Sequence, residues 1–164
     1  MKKYITRKEI IKTIEKNHYW LYAAILLILL PLLANCDREP INSDVEGHWK
    51  LEEFTIQETG EKVACERIFW GITRAGAKLF EKQGKHGYAP LDALIEYRNN
   101  ETVFVLKDIL VMSSKEENKK TPTLEQMLPY GLNNAEESVF EVVRASHKQL
   151  VLQSDFARLQ FLKF

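Results

Sequence analysis

Short apolar segments recur at even intervals from Gly47 to the end of the chain, and this recurrence constrains the fold more than any other feature. Turn residues such as Gly60 and the pair Asn99-Asn100 separate most of the segments. The eight segments are residues 49–56, 66–73, 77–82, 91–98, 102–106, 138–144, 149–153 and 156–163. Short strands of this number, joined by turns, are typical of an antiparallel β-sandwich or barrel.

One segment departs from this pattern and predicts a short helix. Thr123-Leu124-Glu125-Gln126 fits a capping box, in which the threonine and the glutamine cap the first turn reciprocally. Pro129 prevents continuation, so the sequence predicts a helix of one or two turns at 124–128. The charged residues 113–120 before it are predicted to form a solvated loop.

The first 35 residues differ from the rest of the chain in charge and hydropathy. They carry six lysine or arginine and two acidic residues, whereas the remainder has 17 basic and 21 acidic residues. From Leu21 to Ala34 runs an apolar stretch of 14 residues. As a helix it would span about 21 Å, short of the ~30 Å hydrocarbon core of a bilayer. A basic segment followed by such a stretch is typical of a signal peptide, here residues 1–35.

The leader ends in Leu33-Ala34-Asn35-Cys36, which resembles the lipobox of bacterial lipoproteins. The resemblance implies that a diacylglycerol joins the Cys36 sulfur, that residues 1–35 are removed, and that acyl chains such as palmitate hold the protein at a membrane. The polar residues 36–46 then predict a lipid-anchored tether to a domain of residues 47–164. This domain would lie outside the cytoplasm, at the cell membrane or the outer membrane. An uncleaved N-terminal anchor is the alternative.

The start of the domain, Gly47-His48-Trp49, resembles the Gly-x-Trp signature of lipocalins and related calycins. Residues 47–164 are also similar to lipocalin-like lipoproteins of gut anaerobes, in particular around residues 65–72 and at the C-terminal residues 159–164. This resemblance implies an all-β fold, an eight-stranded antiparallel lipocalin-like barrel with one short helix.

The same resemblance implies a structural role for three residues at the closed end of the barrel. Gly47 would allow the chain to enter the barrel, and Trp49 would pack across the closed end. A basic side chain from a late strand would lie over the indole, attracted by the negative face of the ring. Arg158 is the expected cation, and Arg144 is the second choice.

The sequence shows no motif for catalysis or for metal binding. The residues His18, His48, His86 and His147 have no metal-ligand spacing, and there is no nucleophile elbow, phosphate loop or His-Glu-x-x-His helix. Cys65, the second cysteine, is expected to be a buried small hydrophobe. A chain with a net charge of zero is not predicted to bind nucleic acid. We therefore expect a protein that is not an enzyme and uses no cofactor or metal.

Two functions remain open for such a barrel, and they depend on whether its interior is hollow or filled. A hollow barrel would bind a small apolar molecule. A filled barrel would be an interaction or structural module that docks to another envelope protein through an apolar outer face. If Trp49 points inward, strand alternation predicts the lining of a hollow interior. The predicted lining residues are Leu51, Ala93, Ile95, Tyr97, Phe140, Val142, Ala157, Leu159 and Phe161.

Overall fold

The structure is a computed structural model that describes residues 42–84, 86–113 and 119–164. These residues form eight strands: β1 (Gly47–Ile56), β2 (Lys62–Ile72), β3 (Gly76–Glu81), β4 (Leu91–Arg98), β5 (Val103–Val111), β6 (Glu137–Ala145), β7 (Gln149–Gln153) and β8 (Ala157–Lys163). Each strand pairs antiparallel with the next one along the chain, and β8 pairs with β1, so the sheet closes into a barrel. The expected eight-stranded antiparallel barrel is confirmed.

Alternation along the strands directs apolar side chains into the barrel. In β8, Ala157, Leu159 and Phe161 are buried, whereas Arg158 and Gln160 between them are partly exposed. Successive side chains of a strand point to opposite faces of the sheet, and closure of the sheet places one of those faces inside. The inward residues of the eight strands form one continuous core.

The barrel has two different ends. At the first end, the base, lie the start of β1, the C-terminal Phe164, and the turns β2–β3, β4–β5 and β6–β7. At the second end, the mouth, lie the β1–β2 and β7–β8 hairpins, the β3–β4 loop and the β5–β6 connection. That connection carries the helix α1 (Leu124–Met127), which continues as a 3₁₀ turn (Leu128–Tyr130).

The short helix forms where the capping box predicts it. The Thr123 hydroxyl accepts a hydrogen bond from the Gln126 backbone N–H at 3.4 Å, and the Gln126 Oε1 accepts one from the Thr123 N–H at 2.9 Å. Pro129 ends the regular helix, and the buried Met127 and Tyr130 attach the segment to the core. Within the described ranges, no helix has the length and apolar character needed to cross a membrane.

Trp49 lies across the base and is completely buried. Its indole Nε1 donates a 2.6 Å hydrogen bond to the Val45 carbonyl. The Lys163 ammonium lies 4.2 Å from the centre of an indole ring and donates to the Glu46 carbonyl at 3.1 Å. Gly47 has a φ of 143°, a conformation that residues with a Cβ rarely adopt, so glycine is required where the chain enters β1.

The cation over the indole is therefore Lys163, and the prediction of Arg158 is wrong. Trp49 pairs with Lys163 across β1 and β8, whereas Arg158 pairs with β1 near the mouth. Its guanidinium donates to the Gln153 Oε1 at 2.7 Å. The second choice, Arg144, is exposed on β6. The register of the last strand decides which basic residue reaches the base, and the sequence does not reveal this register.

The folded domain begins before Gly47. The Asn42 Oδ1 accepts a hydrogen bond from the Val45 N–H at 3.1 Å, and the Asn42 carbonyl accepts one from the Glu46 N–H at 2.8 Å. This turn inserts the Val45 side chain into the core with no exposed surface. Residues 42–46 are thus part of the domain rather than of a polar tether. The expected signal peptide, Cys36 and the rest of the tether lie outside the described residues.

Candidate functional site at the barrel mouth

Aromatic side chains fill the middle of the barrel. Trp70 packs edge-on against Phe140 and Phe161, with ring centres 6.1 and 5.1 Å away. Phe104 lies 6.3 Å from Phe140, and all four side chains are buried. An apolar pocket large enough for a small ligand lies at the mouth.

The side chains that alternation predicts for a hollow interior pack into this filled region. Six of them are buried, and Ile95, Tyr97 and Val142 are partly buried against the core. None of the nine lines the mouth pocket described next; they are Leu51, Ala93, Ile95, Tyr97, Phe140, Val142, Ala157, Leu159 and Phe161. They face inward and pack in or against the core.

A pocket of about 430 Å³ opens at the mouth, between the β1–β2 hairpin, the β3–β4 loop and the α1 segment. Its deepest residues are the buried Phe54 and Ile68. The apolar side walls are Ile56, Val63, Leu128 and Pro129. A concave surface of this size, apolar with a few polar groups, is typical of sites for small molecules.

A bulge in β2 brings two further residues to this pocket. The β1–β2 register shifts after Leu51, and β2 has two more residues than β1 over this stretch. Within the bulge, Arg67 adopts a φ of 58°. Because a bulge bends its strand and re-aims side chains, Cys65 and Glu66 border the pocket.

His86 of the β3–β4 loop is held at the rim by Glu81, the last residue of β3. The His86 Nδ1 lies 2.8 Å from the Glu81 Oε1, and the Glu81 Oε2 accepts the backbone N–H groups of His86 and Gly87 at 3.1 and 3.3 Å. Burial raises the pKa of Glu81, but these hydrogen bonds outweigh burial and hold its pKa below the usual value. The charged Glu81 side chain is only 4% exposed, so it fixes the loop from beneath.

Tyr88 connects this loop to α1. Its ring stacks on the His86 ring, with centres 5.8 Å apart and planes at 19°. A hydrogen bond to the Glu125 carboxylate, followed by partial burial and by the charges of Glu125 and Glu81, raises the pKa of Tyr88. The phenol therefore stays protonated beside the Glu125 carboxylate of the helix.

Cys65 presents an unreactive thiol to the pocket. Burial, followed by the charges of Glu52 and Glu53, raises the pKa of Cys65 to about 12. The thiolate is the nucleophilic and metal-binding form, so this thiol is a poor nucleophile at neutral pH. Among the described residues there is no group of three or more histidine, cysteine, aspartate or glutamate side chains that could hold a metal ion.

The polar residues of the mouth were not predicted as site residues from the sequence. Glu66, His86, Tyr88 and Glu125 lie in a bulge, a loop and a four-residue helix, where no strand alternation applies. The one usable signal is the capping box, which indicates that Glu125 lies in the first turn of a helix close to a chain reversal.

Comparison with known proteins agrees with the architecture. A family model described as a lipocalin-like domain matches residues 31–164. The chain is similar in structure to a lipocalin-like protein from Bacteroides uniformis, with 15% identity, a TM-score of 0.55, and coverage of 74% of this chain and 100% of that chain. It is also similar to an uncharacterized protein from Bacteroides eggerthii, with 16% identity, a TM-score of 0.56 and the same coverage of 74% and 100%. At these identities the likeness shows the fold alone. No curated protein matches the chain.

Proposed function

The chain belongs to the lipocalin-like domain family, and we propose that it is a binding module, not an enzyme, which holds a small apolar molecule at the bacterial cell envelope. The observation that carries this proposal is the mouth pocket of about 430 Å³. Its volume lies in the range of roughly 300–1,000 Å³ that small-molecule sites occupy. The buried Phe54 and Ile68 offer an apolar ligand a surface shielded from water.

The lipobox-like sequence supports the envelope part of the proposal. Lipid on Cys36 would anchor the chain six residues before Asn42, where the described domain starts at the base. The pocket lies at the opposite end of the barrel, so attachment through the base leaves the mouth unobstructed for a ligand.

A pocket-filling variant tests the proposal. Val63→Phe adds bulk inside the mouth pocket, whereas the matched change Val143→Phe adds the same bulk on the outer face of β6, where Val143 is 41% exposed. We expect an apolar fluorescent probe to bind the wild type and Val143→Phe equally and to lose affinity for Val63→Phe, with all three proteins folded by circular dichroism. Native mass spectrometry of protein purified from its own host would show a co-purifying small molecule. Equal binding of the probe to both variants would contradict the proposal.

A docking module is the second candidate, and one observation favours it. Phe164 is 69% exposed on the outer wall, where its ring lies 4.8 Å from that of Phe69, which in turn stacks on Phe80 at 5.5 Å. An exposed apolar cluster of this kind can serve as a docking surface for a partner protein. If the probe still binds Val63→Phe but not Phe164→Ser, the apolar binding surface is this outer cluster, and the docking function is favoured.

A further inference from the structure

We propose that the mouth pocket selects amphipathic ligands whose polar group is a cation, such as an ammonium on an aliphatic or aromatic body, and that it discriminates against carboxylates. This inference rests on the proposed binding function and specifies its ligand class. The apolar body would lie against Phe54 and Ile68, and the ammonium would lie at the rim beside the carboxylate of Glu125.

The charges of the described lining residues are the first argument. The two glutamates Glu66 and Glu125 line the pocket, and no lysine or arginine is among the described residues that do so. Arg67, the basic residue of the β2 bulge, directs its guanidinium to the Gln83 carbonyl at 3.1 Å. An anionic head group would therefore meet carboxylates without a compensating cation from these side chains.

His86 does not supply an anion site either. Its Nδ1 faces the Glu81 carboxylate at 2.8 Å, so this nitrogen is already engaged by a carboxylate. Glu81 is itself only 4% exposed and adds to the negative potential beneath the rim. Glu52 and Glu53 also contribute negative charge here, since after burial their charges are the next causes that raise the pKa of Cys65.

Aromatic faces are the second argument. Tyr88 lines the pocket at its rim, and the stacked His86 extends the Tyr88 face. An ammonium within about 6 Å of an aromatic ring is attracted to the ring face, and the attraction grows as the site is desolvated. Carboxylates and rings on the same rim thus favour the same head group, while the floor favours an apolar tail.

Three water-soluble probes with the same body separate head-group preference from apolar binding: 4-phenylbutylamine, 4-phenylbutanol and 4-phenylbutanoate. The full-length protein in nanodiscs is titrated with each probe by calorimetry, against empty nanodiscs. We expect the amine to bind about 5–10-fold more tightly than the carboxylate, the alcohol to lie between them, and the difference to shrink in high salt.

Isosteric variants assign the preference to the pocket. Glu125→Gln removes the charge but retains an oxygen that can accept a hydrogen bond from Tyr88. Glu66→Gln removes the other lining charge. Each variant should reduce the preference for the amine about twofold to threefold. Glu101→Gln is the matched control, because it makes the same charge change in the β4–β5 turn at the base. Equal affinity for the three probes, a preference for the carboxylate, or an equal effect of Glu101→Gln would overturn the inference while the binding function stands. Failure of all three probes to bind would overturn both.

Discussion

Lys163 and Trp49 form a cation–π pair at the base of the barrel, with the ammonium 4.2 Å from the centre of an indole ring. The two residues are register partners in the last and the first strand. Lys163 also donates a hydrogen bond to the Glu46 carbonyl, and the Trp49 indole donates one to the Val45 carbonyl. Both bonds hold the residues that precede β1 at the base of the barrel. One lysine near the C-terminus therefore stabilises the entry of the chain, the first strand and the closure of the sheet together.

Lys163→Met should lower the free energy of unfolding by about 1 kcal/mol, because it removes a cation–π contact and a hydrogen bond at an exposed site. Arg158→Met removes a side-chain hydrogen bond to Gln153 near the other end of β8 and should cost less than about 0.5 kcal/mol. Urea unfolding followed by tryptophan fluorescence measures both values. The assignment of Lys163 fails if Arg158→Met is the more destabilising change.

Ala93→Phe should destabilise the domain by about 1–3 kcal/mol, because Ala93 is 6% exposed in a filled core and the larger ring would overpack it. The neighbouring Leu94 is 56% exposed, so Leu94→Phe is a matched control that should leave stability nearly unchanged. Thermal unfolding monitored by circular dichroism compares the two. A stable Ala93→Phe protein that loses its apolar probe would mean that the ligand enters the middle of the barrel after all.

Tyr97→Phe should leave stability unchanged or raise it by up to about 1 kcal/mol. The Tyr97 hydroxyl is buried and has no hydrogen-bond partner among the described residues, so its removal relieves a desolvated polar group. Ser138→Ala provides the contrast, since the Ser138 hydroxyl donates to the Asn134 carbonyl at 2.8 Å and its loss should cost about 1 kcal/mol. Chemical unfolding of both variants checks this. A clear loss of stability in Tyr97→Phe would reveal a partner for the hydroxyl.

Glu81→Gln should destabilise the protein at neutral pH but much less in acid. Because the folded state holds the pKa of Glu81 below its usual value, the charged carboxylate contributes stability above the unfolded-state pKa of about 4.3. This contribution disappears as the pH falls through the lower folded-state pKa. Unfolding free energies from pH 7 to pH 3 should therefore converge for the wild type and the variant. A pH-independent difference between the wild type and Glu81→Gln would refute the role of the charge.

Cys36→Ser should abolish incorporation of labelled palmitate and leave a precursor that retains residues 1–35. The sulfur of Cys36 is the proposed attachment atom, and a serine hydroxyl does not replace it. Cys65→Ser, the matched control in the folded domain, should incorporate label like the wild type. Mass spectrometry of the N-terminus together with metabolic labelling measures both events. Equal labelling of Cys36→Ser and the wild type would exclude lipidation at this residue.

Strand alternation was enough to predict the barrel strands, because a wall with one buried face imposes a period of two residues. The predictions are least accurate where that period is interrupted. β5 continues to Val111 rather than ending at Leu106, although the polar residues Lys107 and Asp108 follow. Asp108 has a φ of 50°, which makes the strand irregular at the two polar residues. Beyond them the inward pattern resumes at the buried Ile109.

The candidate site was less predictable than the fold. Its floor at Phe54 and Ile68 follows the strand pattern, but its rim depends on the backbone bulge at Arg67 and on the Glu81 carboxylate that positions His86. Both depend on contacts between segments, and neither has a periodic signature. The cation at Trp49 was missed for a related reason, because the register of β8 determines which residue arrives there.

The pairing of β8 with β1 closes the sheet and leaves it without terminal strands. In an open sheet, the outermost strands expose backbone N–H and C=O groups that can template pairing with another chain and so seed aggregation. In the closed barrel, each of the eight strands has a hydrogen-bonded neighbour on both sides. Lipid anchoring would raise the local concentration greatly, and a barrel without terminal strands can be crowded in this way with little tendency to polymerise through its backbone.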